Sequence, residues 1–318
     1  MSTRTPFDVV VLGEVLVEVS TNAPFGHGVP AALGVSGDAL NVAAASAAAG
    51  ARTGLLAVLP DDSLGRAIAG RIAELGVSTE LLLRRPGQQG VYLTHSDPSG
   101  QREFAYARRG SVGSSLSTDD VDARLMAEAG AVVASGIACA ISPGARAAVA
   151  KAAECARRFV FDPNYRPSLT SLDAARANLA DLAPRSFLVT PSYPGETAAL
   201  LGADSPAEAA STLRRLGAQN VAVTCGAEGI HLDAEGSTVW IPSVPAPHVV
   251  DQTGAGDSFI GTLTARLVLG DSLEAAGRFG AAASSLAVGG KGGTGFVPSF
   301  EQTRAHAGSA VAEASWRA

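Results

Sequence analysis

The feature that most limits the fold is a steady exchange between short apolar runs and Ala-rich runs of helical length. Residues 9–12, 54–59, 131–134, 159–161, 187–190 and 221–224 are apolar almost throughout. Strands covered on both faces have that composition. Between them lie helical stretches at 41–49, 63–75, 143–157, 172–182 and 206–216, the first two stopped by Gly50 and Gly76. Two long helices at 254–269 and 273–288, and a last one at 300–315 after Pro298, close the chain. Strands that alternate with helices and show no polar face predict an α/β fold with a mostly parallel sheet and helices on both sides.

Two segments interrupt this rhythm. Residues 14–34 are rich in Gly and Pro, and residues 87–104 set Val91, Leu93 and Phe104 among turn residues such as Asp97-Pro98-Ser99-Gly100. Both read as short antiparallel strands that must pack outside the main sheet. With 318 residues and 47% apolar content, one large core is affordable, so residues 1–318 read as a single domain with these segments inserted.

Charge and cysteine use exclude several classes. The net charge is −6 with signs mixed throughout, and no basic stripe offers a surface to nucleic acid. No apolar run approaches the roughly 18 residues of a membrane span. Residues 1–7 lack the charged-then-apolar layout of a signal peptide, and 7–19 read instead as a first strand. Cys139, Cys155 and Cys225 are scattered and odd in number, which fits buried thiols in a reducing, cytoplasmic setting. The five histidines are never paired at ligand spacing, which argues against zinc. Lys151 and Lys291 are the only lysines, so a Schiff-base aldolase would have to use one of them.

The stretch Asp251-Gln252-Thr253-Gly254-Ala255-Gly256-Asp257 opens the helix at 254–269. Small residues at a helix start leave backbone N–H groups bare where the helix dipole is positive. That combination holds an anion such as phosphate. A carboxylate beside it, Asp257, makes sense as a base that takes a proton from an attacking hydroxyl. The bland alternative is a Gly-rich turn with an acidic helix start. A second site, Ser36-Gly37-Asp38-Ala39-Leu40-Asn41, precedes an Ala-rich helix. Gly37 permits close backbone approach, and Asp38 and Asn41 suit sugar hydroxyls, although either could be a plain N-cap. On a strand, Tyr106 and Arg108 share a face, and the planar fork of Arg108 suits a carboxylate or phosphate. Arg166 follows the apolar run 159–161, where the C-terminal edges of parallel strands meet ligands. The run Gly290-Lys291-Gly292-Gly293-Thr294-Gly295 spells G-x-G-x-x-G, but it follows a helix and precedes no βαβ unit, which rules out a dinucleotide site.

These motifs together resemble the ribokinase-like (PfkB) carbohydrate kinases. The Gly-Ala-Gly-Asp core is similar to the family's D-T-x-G-A-G-D hallmark, with Gln252 at its second position. Ser36 to Asn41 resembles the first hallmark, G-G-x-x-x-N, with Ser36 for the first Gly. Asp162-Pro163-Asn164-Tyr165-Arg166 matches D-x-N-x-R. The resemblance runs from Val9 to about Pro298 and is greatest to 2-keto-3-deoxygluconate kinases, on the Gly37-Asp38 pair, on 106–121 and on 135–142. It implies a three-layer α/β/α ribokinase-like fold in which 14–34 and 87–108 form a small β lid over the sugar, shared with a second subunit in a homodimer or higher oligomer. It implies ATP and Mg²⁺, with amides of Gly254, Ala255 and Gly256 as anion hole and Asp257 as base. Gly37, Asp38, Asn41, Tyr92, Tyr106, Arg108 and Arg166 would bind the substrate, the last three residues gripping an acid. Thr224, Gly226, Gly229 and Ser285 would lie by the nucleotide. Glu196 would reach Mg²⁺ through water, although Ser192 replaces the family's Asn at altered spacing, and Asp251 would border a K⁺ site. The expected product is the 6-phosphate of 2-keto-3-deoxygluconate. The alternatives are a kinase of a neutral sugar such as fructose or ribose, and a non-catalytic sugar-binding protein on the same scaffold.

Overall fold

Apolar strands and Ala-rich helices alternate in the computed structural model, which describes residues 7–96, 102–234 and 236–315. In chain order the first half contains β1 (Val9–Leu12), β2 (Leu16–Thr21), β3 (Ala32–Ser36), α1 (Asp38–Ala48), β4 (Thr53–Pro60), α2 (Ser63–Glu74), β5 (Leu82–Arg85), β6 (Val91–Ser96), β7 (Arg102–Ala107) and α3 (Ala123–Glu128). The middle adds β8 (Ala131–Ser135), α4 (Gly136–Ile141), α5 (Pro143–Cys155), β9 (Phe159–Asp162), α6 (Leu172–Leu182), β10 (Leu188–Val189), α7 (Gly195–Leu201) and α8 (Pro206–Arg215). The last part holds β11 (Val221–Thr224), β12 (Gly229–Ala234), β13 (Ser237–Pro242), α9 (Ala255–Val268), α10 (Leu273–Ala287) and α11 (Phe300–Ser315).

The main sheet has the order β13-β12-β11-β10-β9-β8-β1-β4-β5. Every pair from β5 to β11 is parallel, and the β11–β12–β13 edge is antiparallel. Side chains sort by the period of two. Val10 and Leu12 of β1 join a core cluster on one face with Phe159 and Phe161. Val9 and Val11 join a second cluster on the other face with Leu55 and Leu263. Helices therefore cover both faces, and the α/β expectation holds. Helix starts are capped as their sequences suggest. Asp62 accepts from the Gly65 amide, Ser142 from that of Ala145, and Ser205 from that of Glu208.

A second sheet has the order β3-β2-β6-β7 and forms a lid. It corrects two expectations. Residues 7–19 are not one strand. β1 ends at Leu12, and Gly13-Glu14-Val15 carries the chain out to β2. Gly13 marks the departure because a Cβ there would stand 2.6 Å from the Cβ of Ala39 on α1. The lid is also not wholly antiparallel. β2–β3 and β6–β7 are antiparallel hairpin pairs, but β2 and β6 run parallel, Val17 opposite Val91. Both strands rise from the C-terminal edges of parallel main-sheet strands, so they leave in one direction. The Asp97-Pro98-Ser99-Gly100 turn and residues 1–6 lie outside the described residues.

Two helices meet at unusually close range. A Cβ on Gly261 of α9 would stand 2.3 Å from the Val42 carbonyl oxygen of α1 and 2.8 Å from the Ala45 Cβ. The side of α1 that meets Gly261 is formed by Val42, Ala45 and Ser46, all buried. Small residues thus bring the first turns of α1 and α9 together. Overpacking a filled core costs about 1–3 kcal/mol. Gly261→Ala is expected to lower unfolding stability by that amount in urea melts, and Gly256→Ala, whose Cβ meets nothing within 4 Å, by less.

Candidate active site

The start of α9 is set by Gly254, which caps the helix at φ 81°. That conformation suits glycine, and a Cβ would also stand 3.0 Å from the Gly293 carbonyl oxygen. The Ala255 amide donates back to the Gln252 carbonyl at 3.2 Å, and the Ser258 amide to Gly254 at 2.8 Å. The amides of Gly254, Gly256 and Asp257 have no recorded acceptor among the described residues. These are the orphan donors of a helix N-terminus, aligned with its dipole. An anion fits there.

Asp257 projects from the first turn of α9. Its Oδ2 accepts a hydrogen bond from Asn41 Nδ2 at 2.8 Å. Ser36 Oγ donates to Asn41 Oδ1 at 3.2 Å and so fixes the amide's orientation. The neighbouring Asp38 accepts from Ser135 Oγ. Burial pushes the Asp257 carboxyl up to about 7, and the Asp38 charge adds to this; the Asn41 hydrogen bond and Arg166 oppose it. Asp162, at the end of β9, is also raised well above the carboxylate range, first by burial and then by Glu196 and Asp257. Sequence reasoning did not assign Asp162 a role, although it opens the Asp-x-Asn-x-Arg motif. Asn164, two residues on, donates its amide to Asp162 Oδ1 at 3.1 Å and sits at φ 37°. A non-glycine residue held there marks a backbone that its surroundings constrain.

These groups line a cleft of about 520 Å³ between the sheet edge and the lid. Gly37, Asp38, Asn41, Tyr92, Tyr106, Arg108, Arg166, Glu196, Thr224, Gly254, Gly256 and Asp257 all contribute to its walls. Gly37 is needed on steric grounds: at φ 127° a Cβ would stand 2.6 Å from the Glu14 carbonyl oxygen. Tyr92 pairs across strands with Tyr106, their ring centroids 6.1 Å apart. Two cleft residues are more committed than their sequence suggests. The Tyr92 hydroxyl donates to Glu18, and Arg108 Nη2 donates to Glu14. Arg108 is therefore not a free fork.

Ala255, Gly226, Gly229, Asp251 and Ser285 are not among the cleft's lining residues. Ser285 Oγ lies 2.8 Å from His306 Nε2 and donates to the Ala282 carbonyl. Asp251 is buried; Oδ1 accepts from the Thr253 amide and hydroxyl at 2.9 and 2.8 Å, and Oδ2 from the Gly292 amide at 3.0 Å. Gly229 owes its place to the β12–β13 hairpin, since a Cβ there would be 2.3 Å from the Ile241 carbonyl oxygen. Gly226 turns the chain at φ 57°. Glu196, in the first turn of α7, accepts from the Ser192 amide and hydroxyl at 2.8 and 2.9 Å and from the Tyr165 amide. Among the described residues no three His, Cys, Asp or Glu side chains are grouped to hold a metal. A Mg²⁺ ion here would draw its ligands chiefly from phosphate and water, as it does with nucleotides. Lys151 Nζ donates to the Thr118 carbonyl at 2.9 Å and Lys291 to Asn22. Neither lysine lines the cleft, so no Schiff-base residue is placed there.

The fold thus sets a helix N-terminus and a carboxylate between a doubly covered parallel sheet and a β lid. The chain matches the model of the pfkB family carbohydrate kinases over residues 7–299 and belongs to that family. It is 35% identical over 297 residues to a 2-dehydro-3-deoxygluconokinase of Thermoproteus tenax, covering 92% of this chain and 91% of the relative. It is 28% identical over 289 residues to a 2-dehydro-3-deoxygalactonokinase of Haloferax volcanii, covering 88% and 90%. Among solved structures, a PfkB protein from Polaromonas sp. JS666 superposes with a TM-score of 0.84 at 26% identity, covering 94% of this chain and 99% of that one. A putative ribokinase II from E. coli in complex with ATP and Mg²⁺ superposes with 0.84 at 23% identity, covering 94% and 98%. The chain is a sugar kinase, a phosphotransferase with an alcohol group as acceptor.

The raised Asp257 carboxyl has a consequence for stability. The folded state holds this proton more tightly than the unfolded chain does, so ionisation costs stability as pH rises from about 4 through about 7. Asp257→Asn removes that cost. Its Tm is expected to exceed that of the wild type by more at pH 8 than at pH 5, measured by calorimetry at both.

Proposed function

We propose that the protein transfers the γ-phosphoryl group of ATP to the primary hydroxyl of a sugar acid, 2-keto-3-deoxygluconate (2-dehydro-3-deoxygluconate), giving the 6-phosphate. The observation that carries this reading is Asp257 itself: a carboxylate poised near pH 7, one turn from unpaired helix amides, in an open cleft. As base, Asp257 takes the hydroxyl proton while that oxygen bonds to the γ-phosphorus and the bond to the ADP oxygen breaks. The amides of Gly254, Ala255 and Gly256 stabilise charge on the moving group; phosphate replaces the long Ala255–Gln252 contact. Asn41 holds the base in place and Arg166 balances its charge. Mg²⁺ neutralises the phosphate oxygens when bound, with Glu196 ordering its water shell. The ATP and Mg²⁺ of the E. coli neighbour support this donor, with Thr224, Gly226, Gly229 and Ser285 on the nucleotide side and Asp251 by a monovalent cation.

Substrate choice rests on the Thermoproteus tenax relative and on Tyr106, Arg108 and Arg166, which all line the cleft. A neutral ketose is the second reading, and the Glu14 carboxylate that offsets the Arg108 charge favours it. A screen of sugars and sugar acids with ATP and Mg²⁺, read as ADP release, separates them. The keto acid is expected to be turned over in preference to fructose; no ADP with any sugar would leave only a binding protein. Asp257→Asn should cost on the order of 10²-fold or more in kcat in a folded protein. The kcat/KM of the wild type should fall about tenfold per pH unit below about 7, where the base becomes protonated.

A further inference from the structure

The lid joins the body at four crossings of the chain: before β2, after β3, before β6 and after β7. All four converge on Glu14. Its backbone carbonyl abuts Gly37 at the exit of β3, where a Cβ would stand 2.6 Å away. Its side chain lies against Gly90, just before β6, where a Cβ would be 2.9 Å from Oε1. It also accepts from Arg108 Nη2 and Ser111 Oγ, both just after β7. Glu14 is 1% exposed, so its charge is sustained by these two donors alone among the described side chains.

Arg108 is held from the same side. Nη2 is committed to Glu14. Nε is enclosed and has no partner, and Nη1 makes no hydrogen bond among the described residues and is not enclosed. The side chain is 10% exposed and lines the cleft. Arg108 shares the cleft with Asp38 and Asp257, and a guanidinium with no anchor on its inner edge would be drawn towards such carboxylates.

We infer that Glu14 is the positioning residue for acid recognition: it pins Arg108 at the lid junction, so that the outer edge of the guanidinium is presented to the substrate carboxylate and kept off the catalytic carboxylates. This rests on the reading of Arg108 as the acid-binding group. Burial raises the Glu14 carboxyl and Arg108 lowers it, which ties the charge of one to the presence of the other. The arrangement also explains why Gly90 and Gly113 lack side chains: a Cβ on Gly113 would stand 2.6 Å from Glu14 Cγ.

The test is steady-state kinetics on 2-keto-3-deoxygluconate and on fructose for Glu14→Ala, Glu14→Gln, Arg108→Ala and the Glu14→Ala/Arg108→Ala double variant. Glu14→Ala is expected to raise KM for the acid about tenfold with kcat within about threefold, and to change kcat/KM for fructose by less than about threefold. Glu14→Gln keeps an oxygen for Nη2 and should restore most of the lost affinity. In the Arg108→Ala background the loss of Glu14 should add almost nothing. Should Glu14→Ala prove insoluble, Glu14→Asp, whose carboxylate is withdrawn by one methylene, reads the same KM-against-kcat split. Equal losses on both sugars, or losses additive with Arg108→Ala, would show a merely structural carboxylate and overturn the inference. If Arg108→Ala itself keeps the preference for the acid, the acid-grip reading fails. If Arg108→Ala loses that preference and no Glu14 variant shifts KM, Glu14 alone has been misassigned.

Discussion

The close crossing of α1 and α9 is the constraint on which the site depends. Gly261 and the small residues of α1 let the two backbones approach until the Val42 carbonyl fills the space a side chain would take. One turn towards the cleft from that contact, Asn41 and Asp257 meet at hydrogen-bond distance. The two residues are far apart in sequence, and neither helix could bring them together alone. Their geometry is fixed by packing in the hydrophobic core below them, where Leu40, Phe259, Ile260 and Leu263 are buried. A site built on the first turns of two interlocked helices inherits the rigidity of the core.

That rigidity sustains an electrostatic arrangement that would not persist in a looser cleft. Asp38, Asp162, Glu196 and Asp257 crowd one end of the parallel sheet, and burial with mutual repulsion raises two of them. Each carboxylate has a fixed donor: Ser135 for Asp38, the Asn164 amide for Asp162, the Ser192 and Tyr165 groups for Glu196, Asn41 for Asp257. Glu196 is braced by three donors, whereas Asp257 has one side-chain donor and burial raises its carboxyl. A carboxyl raised to about 7 can exchange protons at neutral pH. The cost in stability falls on Asp257, the group we propose as the base.

The main sheet was legible because its strands are apolar on both faces and its helices stop at glycines or begin at capping residues. The lid was legible only as an interruption. Its strands are short and half-exposed, and their partners are set by where the chain leaves the main sheet, so the parallel β2–β6 pairing had no local signal. The split at Gly13 was half-legible: the apolar run 9–12 stops there and 14–34 breaks the rhythm, yet Val9 to Val19 still reads as β structure across it, and the approach of Ala39 shows why the chain must leave. Of the site, the short motifs were readable, because glycine and carboxylate spacing within one turn is local. The partners of Arg108 and Tyr92 were not, since Glu14 and Glu18 lie in a stretch whose sequence reads as ordinary β structure. Asp162 was visible in its motif, but its proton affinity depends on Glu196 and Asp257, which only the fold brings near.

The Gly-rich run at 290–295 shows why a motif must be read in place. It satisfies a dinucleotide pattern, yet its glycines answer to side chains from three other elements. A Cβ on Gly293 would meet Asn41 and Ser36 at 2.4 Å, and one on Gly292 would meet Glu18 Oε1 at 2.3 Å. The Gly292 amide is held by Asp251, the residue that opens the α9 hallmark. Thr294 Oγ1 donates to the Val35 carbonyl of β3 at 2.7 Å. The loop is thus clamped between the lid, through Glu18 and Val35, and the turn that opens α9, through Asp251 and Gly254. A displacement of β2 or β3 presses on the same glycines that support Asn41 and the start of α9. Lid position and the geometry around Asn41 and Asp257 are therefore joined through tightly packed backbone. Gly292 and Gly293 lack side chains because Glu18, Asn41 and Ser36 occupy that volume, while Gly290 and Gly295 are crowded by Phe296 and by the Lys291 backbone.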